Sequence, residues 1–314
     1  MKVCVFGATG QIGTEFLRQL KSISRIKAVA IGRNDVDISA HPDGVRGRLN
    51  QFFSRERPDV VINAAAYTAV DRAEQDIEAA FQLNAWFPGE LARLTKASGA
   101  SLIHFSTDYV FGSGSGDRPH RETDACIPLN VYGQSKLEGE QAVLQAHDRA
   151  VIIRTSWVVG IDGQNFAKTI LRLSCQRSHL NVVSDQFGVP SSARFLVETL
   201  LSADLGSFGK NVCGVYHLCP AGETTWHAYA CWILESAIQH PHWRERIRIE
   251  SVESIRPISS REYLTLAKRP TNSRLDCSRW IESVRAMNFP SWQDATRTTL
   301  DEILDTEQII RSKN

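Results

Sequence analysis

The first thirteen residues constrain the architecture of everything that follows. Val3-Cys4-Val5-Phe6 is an apolar run without polar alternation, the pattern of a strand covered on both faces. Gly7-Ala8-Thr9-Gly10-Gln11-Ile12-Gly13 follows it directly and opens a helix that runs through Glu15 to Leu20. Such glycines let the backbone turn tightly and let a pyrophosphate approach the free N–H groups of the helix N-terminus. Gly13 allows close packing of helix on sheet. The spacing is G-x-x-G-x-x-G rather than G-x-G-x-x-G, a variant found in reductases that bind nicotinamide dinucleotides. A Gly-rich turn alone is a weak sign; between a buried strand and a helix it points to a dinucleotide site.

The same alternation continues to about residue 160. Strands are expected at Ala28 to Ile31, Asp59 to Asn63, Ser101 to Phe105 and Ala150 to Arg154, with helices between them, including one from Ile77 to Ala97. Buried strands separated by helices, joined by right-handed crossovers, predict an α/β fold with a Rossmann-type doubly wound parallel sheet over residues 1–160. Beyond residue 160 the alternation is lost, and Ser184 to Ser192 and Pro257 to Asp276 read as loops. Residues 161–314 are therefore expected to form mainly a smaller, mixed α/β substrate-binding lobe, with some later segments returning to the first domain. The loop Gly112 to Gly116 reads either as a mobile flap beside the active site or as a plain flexible turn.

The chemistry is carried by a second pattern. Tyr132 and Lys136 are four residues apart and so share one helix face. A free phenol titrates near pKa ~10, too high for easy proton donation at neutral pH. A neighbouring ammonium is expected to lower that value and make Tyr132 an acid for carbonyl reduction. Ser106-Thr107-Asp108 ends a strand at the same sheet edge, where Thr107 can hydrogen-bond a substrate oxygen; alone, such a triplet is also a turn or cap. Asn63-Ala64-Ala65-Ala66 ends another strand at that edge. Its small residues fit a cofactor ribose pressed against backbone, or close helix–strand packing. Gly32-Arg33 ends the second strand, where an arginine accommodates the 2′-phosphate of NADPH. Nearby Asp35 and Asp37 leave NADH open, and a solvated surface charge is the lesser alternative for Arg33.

Composition excludes other classes. A net charge of +1 provides no field for nucleic acid or an anionic membrane. The run His242 to Arg248 is broken by acidic and apolar residues and reads as a solvated face. Seven cysteines without C-x-x-C spacing argue for reduced thiols rather than a disulfide scaffold or a metal site. The apolar run at the N-terminus is too short for a signal peptide or a membrane helix, and a cytoplasmic location is expected.

These motifs identify a resemblance to the extended short-chain dehydrogenase/reductases, and within them to reductases of nucleotide-linked keto sugars. It extends beyond the glycine loop to Asn63–Asp71, Ser106–Phe111, Pro128–Gly133 and Arg154–Val158. In the second half it covers Asn165–Thr169, Asp185–Pro190 and Arg269–Asp276. The resemblance implies that Gly7, Gly10, Gln11, Ile12 and Gly13 hold the pyrophosphate, that Asp37 and Ile38 contact the adenine, and that Ala64, Ala65 and Ala66 contact a cofactor ribose. Lys136 would bind the nicotinamide ribose beside the proton donor Tyr132. Val70, Thr107, Asp108 and Trp157 would contact the substrate, although Trp157 also fits an ordinary core position; Arg274 or Arg269 would meet its phosphates.

The implied reaction is hydride transfer from NADPH, with NADH possible, to C4 of dTDP-4-dehydro-L-rhamnose; the alternatives are a sister reductase giving dTDP-6-deoxy-L-talose, a nucleotide-sugar epimerase or dehydratase, and a non-catalytic regulatory subunit of the same fold. Some relatives dimerise through a magnesium ion held by glutamates. Glu15 matches one ligand, but Arg194 and Gln293 stand where two others align. No metal is expected, and a monomer or weak homodimer is.

Overall fold

The structure, a computed structural model, describes residues 1–112, 118–203, 205–284 and 289–306. Beyond Gly112, the expected Gly112–Gly116 flap lies outside the described residues. Strands β1 (Lys2–Phe6), β2 (Lys27–Ile31), β3 (Val60–Asn63), β4 (Ser101–Thr107) and β5 (Val151–Thr155) form one sheet with Gly214–His217. From one edge the order is Gly214–His217, β5, β4, β3, β1, β2, and every pairing is parallel. The chain winds outward in both directions from β1 and β3, which places a crevice at their carboxyl ends.

The unbroken apolar runs have a direct cause. Val3 and Val5 of β1 face one core with Phe16, Ile62 and Ile153, while Cys4 and Phe6 face another with Leu49, Phe87 and Ile152. Successive side chains point to opposite faces, so a strand with helices on both sides must be apolar throughout. A third core, with Leu171, Tyr229, Trp243 and Ile303, belongs to the second half of the chain. Among the described residues no helix is long and apolar enough to cross a membrane.

One expected helix is interrupted. Ile77–Ala97 divides into Ile77–Phe81, a π-helical turn Gln82–Trp86, and Phe87–Ser98. Pro88 has no N–H to give the carbonyl of Asn84, so the regular ladder fails there. Gly139 of the helix Val131–Ala146 packs into the gap: a Cβ on it would lie 1.9 Å from that same carbonyl oxygen.

Candidate active site

The glycine loop forms a cradle with the end of β3. Gly7 has φ +76°, and a Cβ there would sit 2.5 Å from the Ala65 nitrogen. A Cβ on Gly13 would come within 2.1 Å of the Gly7 oxygen. Gly10 caps the helix Gln11–Leu20 without a side-chain bond, so Gln11 and Ile12 open the helix with backbone N–H groups facing the turn. Backbone approach from both sides, with no side chain filling the space, fits a pyrophosphate at a helix N-terminus. Ala64 to Ala66 line the neighbouring wall, where the Ala64 N–H donates to the Phe6 carbonyl at 3.0 Å. At the end of β2, Arg33 is exposed. Asp37 is exposed too, and its carboxyl lies below the usual range because the Ser39 hydroxyl and N–H donate to it. The Ile38 carbonyl accepts from Gln82 Nε2 at 2.6 Å.

Next to this cradle, β4 and the helix Val131–Ala146 bring Thr107, Asp108, Tyr132 and Lys136 together. Asn130 caps that helix, accepting from the Gly133 N–H at 2.7 Å. A Cβ on Gly133 would lie 2.2 Å from the Tyr109 oxygen, so the helix start is pressed onto the turn Asp108–Val110. This contact sets Tyr132 beside Thr107. The Thr107 hydroxyl donates to Asp108 Oδ1 at 3.1 Å and accepts from the Tyr109 N–H at 3.2 Å. Val70, at the start of a short helix, packs in the same apolar cluster as Tyr132.

The electrostatics differ from the expectation in one respect. Burial pushes the Tyr132 phenol up to about 12, the Asp108 charge adds to the rise, and the Thr107 hydrogen bond opposes it. Lys136 is not hydrogen-bonded to the phenol. Its ammonium donates instead to the Phe105 carbonyl at 2.6 Å and lies 3.5 Å from His104 Nε2. Helical spacing placed both side chains on one face, but the ammonium bonds a carbonyl of β4. Burial brings Lys136 down to about 8 and holds His104 neutral. Burial also raises the Asp108 carboxyl to about 6, against hydrogen bonds from Ser273 and Thr107.

The remaining residues come from the second half of the chain. Trp157 has φ +43°, a conformation that costs a non-glycine residue about 1–3 kcal/mol. Its ring is stacked on Trp226, with centroids 3.6 Å apart. Arg274 is buried, donates to Glu223 at 3.0 Å and to Asn272 at 2.9 Å, and lies over the Phe187 ring. Arg269 is paired with Asp71 at 2.7 Å. Both arginines thus have carboxylate partners.

A family model described as the RmlD substrate binding domain matches residues 1–305. The chain belongs to that family. It is 40% identical over 312 residues to the dTDP-4-dehydrorhamnose reductase of Shigella flexneri, covering 98% of this chain and 100% of that protein. Among solved structures it is similar to a dTDP-4-dehydrorhamnose reductase of Clostridium acetobutylicum, with TM-score 0.83, 32% identity, and 96% and 99% of the two chains covered. It is also similar to the Bacillus anthracis dTDP-4-dehydrorhamnose reductase in complex with NADP, with TM-score 0.82, 29% identity and the same coverage, 96% and 99%.

Four residues of this RmlD-family site escaped the sequence reading. Asn84, fully buried in the π-helical turn, accepts from the Tyr67 N–H at 2.8 Å and donates to Ser135 Oγ at 3.0 Å. It ties the strand end after Ala66 to the helix of Tyr132 and Lys136. A lone amide four residues before a proline in an apolar helical pattern was the available signal. His104 looks like a core residue between Ile103 and Phe105, nothing local marks Trp226, and Ser273 lies in the matched stretch Arg269–Asp276 without a sign of its own role. Among the described residues no group of three or more His, Cys, Asp or Glu gathers as metal ligands. Glu15 is bonded by Arg18 at 2.8 Å, and Arg194 pairs with Glu302.

Proposed function

We infer that this protein is a dTDP-4-dehydrorhamnose reductase, reducing the C4 ketone of dTDP-4-dehydro-β-L-rhamnose to the alcohol of dTDP-L-rhamnose. One observation carries the reading: Thr107, Asp108, Tyr132 and Lys136 converge beside an open glycine cradle, in a chain that matches such reductases along nearly its whole length. NADPH, when bound, supplies the hydride. Gly7, Gly10, Gln11, Ile12 and Gly13 hold its pyrophosphate, Ala64 to Ala66 a ribose, Asp37 and Ile38 the adenine, and Arg33 the 2′-phosphate.

As negative charge grows on the ketone oxygen, Tyr132 Oη gives up its proton to it and Thr107 adds a hydrogen bond. The ammonium of Lys136 meets the nicotinamide ribose and steadies the phenolate that remains. Asp108, with Ser273 behind it, orients the Thr107 hydroxyl and reaches the sugar, while Val70 and Trp157 pack against it. Arg274 or Arg269 exchanges its carboxylate partner for the substrate diphosphate. Residues beyond 160 supply most of the sugar-nucleotide lobe. We place the enzyme in the cytoplasm, as a monomer or weak homodimer.

Loss of NADPH absorbance that requires dTDP-4-dehydro-L-rhamnose, with product stereochemistry assigned by NMR, tests this function. No consumption of NADPH with that sugar present would overturn it.

A further inference from the structure

Gln11 does two things at once. Its backbone opens the helix at the pyrophosphate cradle, while its side chain turns away from the cradle into the second half of the chain. Oε1 of Gln11 accepts from the Gly160 N–H at 2.7 Å and from Asn165 Nδ2 at 3.0 Å. Asn165 Nδ2 also donates to the Gly160 carbonyl at 2.8 Å, and its Oδ1 caps the helix Phe166–Ser174 by accepting from the Lys168 N–H at 3.0 Å. The loop closes tightly around this amide: a Cβ on Gly160 would lie 3.0 Å from Gln11 Cβ, and one on Gly163, at φ +71°, 3.2 Å from Gln11 Cγ.

The loop that grips Gln11 begins at Trp157. Val158 and Val159 pair with Ser191 and Ser192, and the Trp157 carbonyl accepts from the Ser191 N–H at 3.2 Å. A shift of Gly160 relative to Gln11 therefore moves the strand that carries the indole. Trp157 already sits in the left-handed region, so its orientation depends on what holds the residues after it.

We propose that the Gln11 side chain is a positioning strut that couples filling of the dinucleotide cradle to placement of Trp157, so that cofactor and sugar nucleotide bind cooperatively. The inference rests on the reductase reading above. Fixing the Gln11 backbone with a pyrophosphate fixes the amide, and the amide fixes the loop at Gly160. The second ligand then meets a segment whose ordering has already been done. Coupling of this kind is reciprocal: each ligand tightens the other by the same factor.

The test is calorimetric titration of dTDP-L-rhamnose into the free protein and into protein saturated with NADPH, a pair that cannot react because C4 of that sugar already carries an alcohol. In the native protein the Kd of the sugar nucleotide is expected to fall about fivefold or more with NADPH bound, and the NADPH Kd by the same factor with the sugar nucleotide bound. Asn165→Ser keeps a favoured helix cap but cannot reach Gln11. Gln11→Met fills similar space without the amide. Gln11→Met should bring the coupling factor close to one, and Asn165→Ser, which leaves the Gly160 bond, should reduce it, whatever happens to the separate affinities. A factor unchanged in both variants, or a native factor of one with both ligands bound, overturns the strut. A native protein that binds neither ligand overturns the reductase reading on which the strut rests.

Discussion

The ammonium of Lys136 lies 2.6 Å from the carbonyl oxygen of Phe105, on the strand beside it rather than on the phenol one helical turn away. Burial lowers this lysine to about 8, so its charge is lost within the range where the enzyme can be assayed. Below that pH the ammonium is available for ribose hydroxyls, and above it the neutral amine is a weaker donor. NADPH affinity is expected to fall as pH rises through about 8. Lys136→Met should bind NADPH weakly with a flat profile; a native affinity constant across that range would remove the charge from the binding step.

Tyr132, at about 12, stays protonated throughout that window. Tyr132→Phe is expected to keep its NADPH Kd and lose turnover by roughly 10²–10⁴-fold. Turnover near the native rate in single-turnover experiments would take the phenol out of the mechanism.

Asp108 gives a stability prediction. Its folded value of about 6 lies above the ordinary 3.8, so the folded state holds the proton more tightly than the unfolded one. The cost of ionising it is absent below the unfolded value, grows between the two values, and is complete above about 6. The Asp108→Asn variant should therefore be more stable than the native protein by roughly 1–3 kcal/mol near neutral pH, a gain that vanishes near pH ~4. Urea midpoints at the two pH values measure this. Equal midpoints at neutral pH would show that the carboxylate is not penalised.

Gly188 bears on the substrate side. A Cβ there would lie 2.4 Å from Trp157 Cε2, and the stack with Trp226 limits how far the indole can withdraw. Gly188→Ala is expected to raise the sugar-nucleotide KM about tenfold or more, equivalent to about 1.4 kcal/mol, with the NADPH Kd unchanged. Steady-state kinetics that leave this KM alone would separate Trp157 from the sugar.

Arg33 is the proposed contact to the 2′-phosphate of NADPH. Loss of a charge-assisted hydrogen bond costs about 1.5–3 kcal/mol, so Arg33→Ala should weaken NADPH roughly tenfold or more and leave NADH nearly unaffected. Parallel weakening of both cofactors would place Arg33 elsewhere than at the 2′-phosphate.

How much of this was legible in the sequence depended on the distance over which each feature is determined. The apolar run of β1 and the glycines after it are local consequences of a strand covered on both faces, and they were readable from thirteen residues. Tyr132 and Lys136 were readable because helical spacing is local as well. The partner of Lys136 was not, since a backbone carbonyl carries no residue identity. The π-helical turn was hidden because Ile77–Ala97 keeps a helical apolar period. Its break comes from Pro88 together with a glycine some fifty residues further on. The stack of Trp157 on Trp226 and the approach of Ser273 to Asp108 exist only once distant segments have met.

The sixth strand, Gly214–His217, has a consequence for how the chain must be made. It pairs with β5, so the sheet that carries the glycine cradle and the proposed catalytic residues is finished by a segment translated well after residue 160. A polypeptide emerging only as far as residue 160 would present β5 as a bare edge, a template for pairing with another chain. The sheet therefore has its full set of strands only after residues 214–217 have been translated.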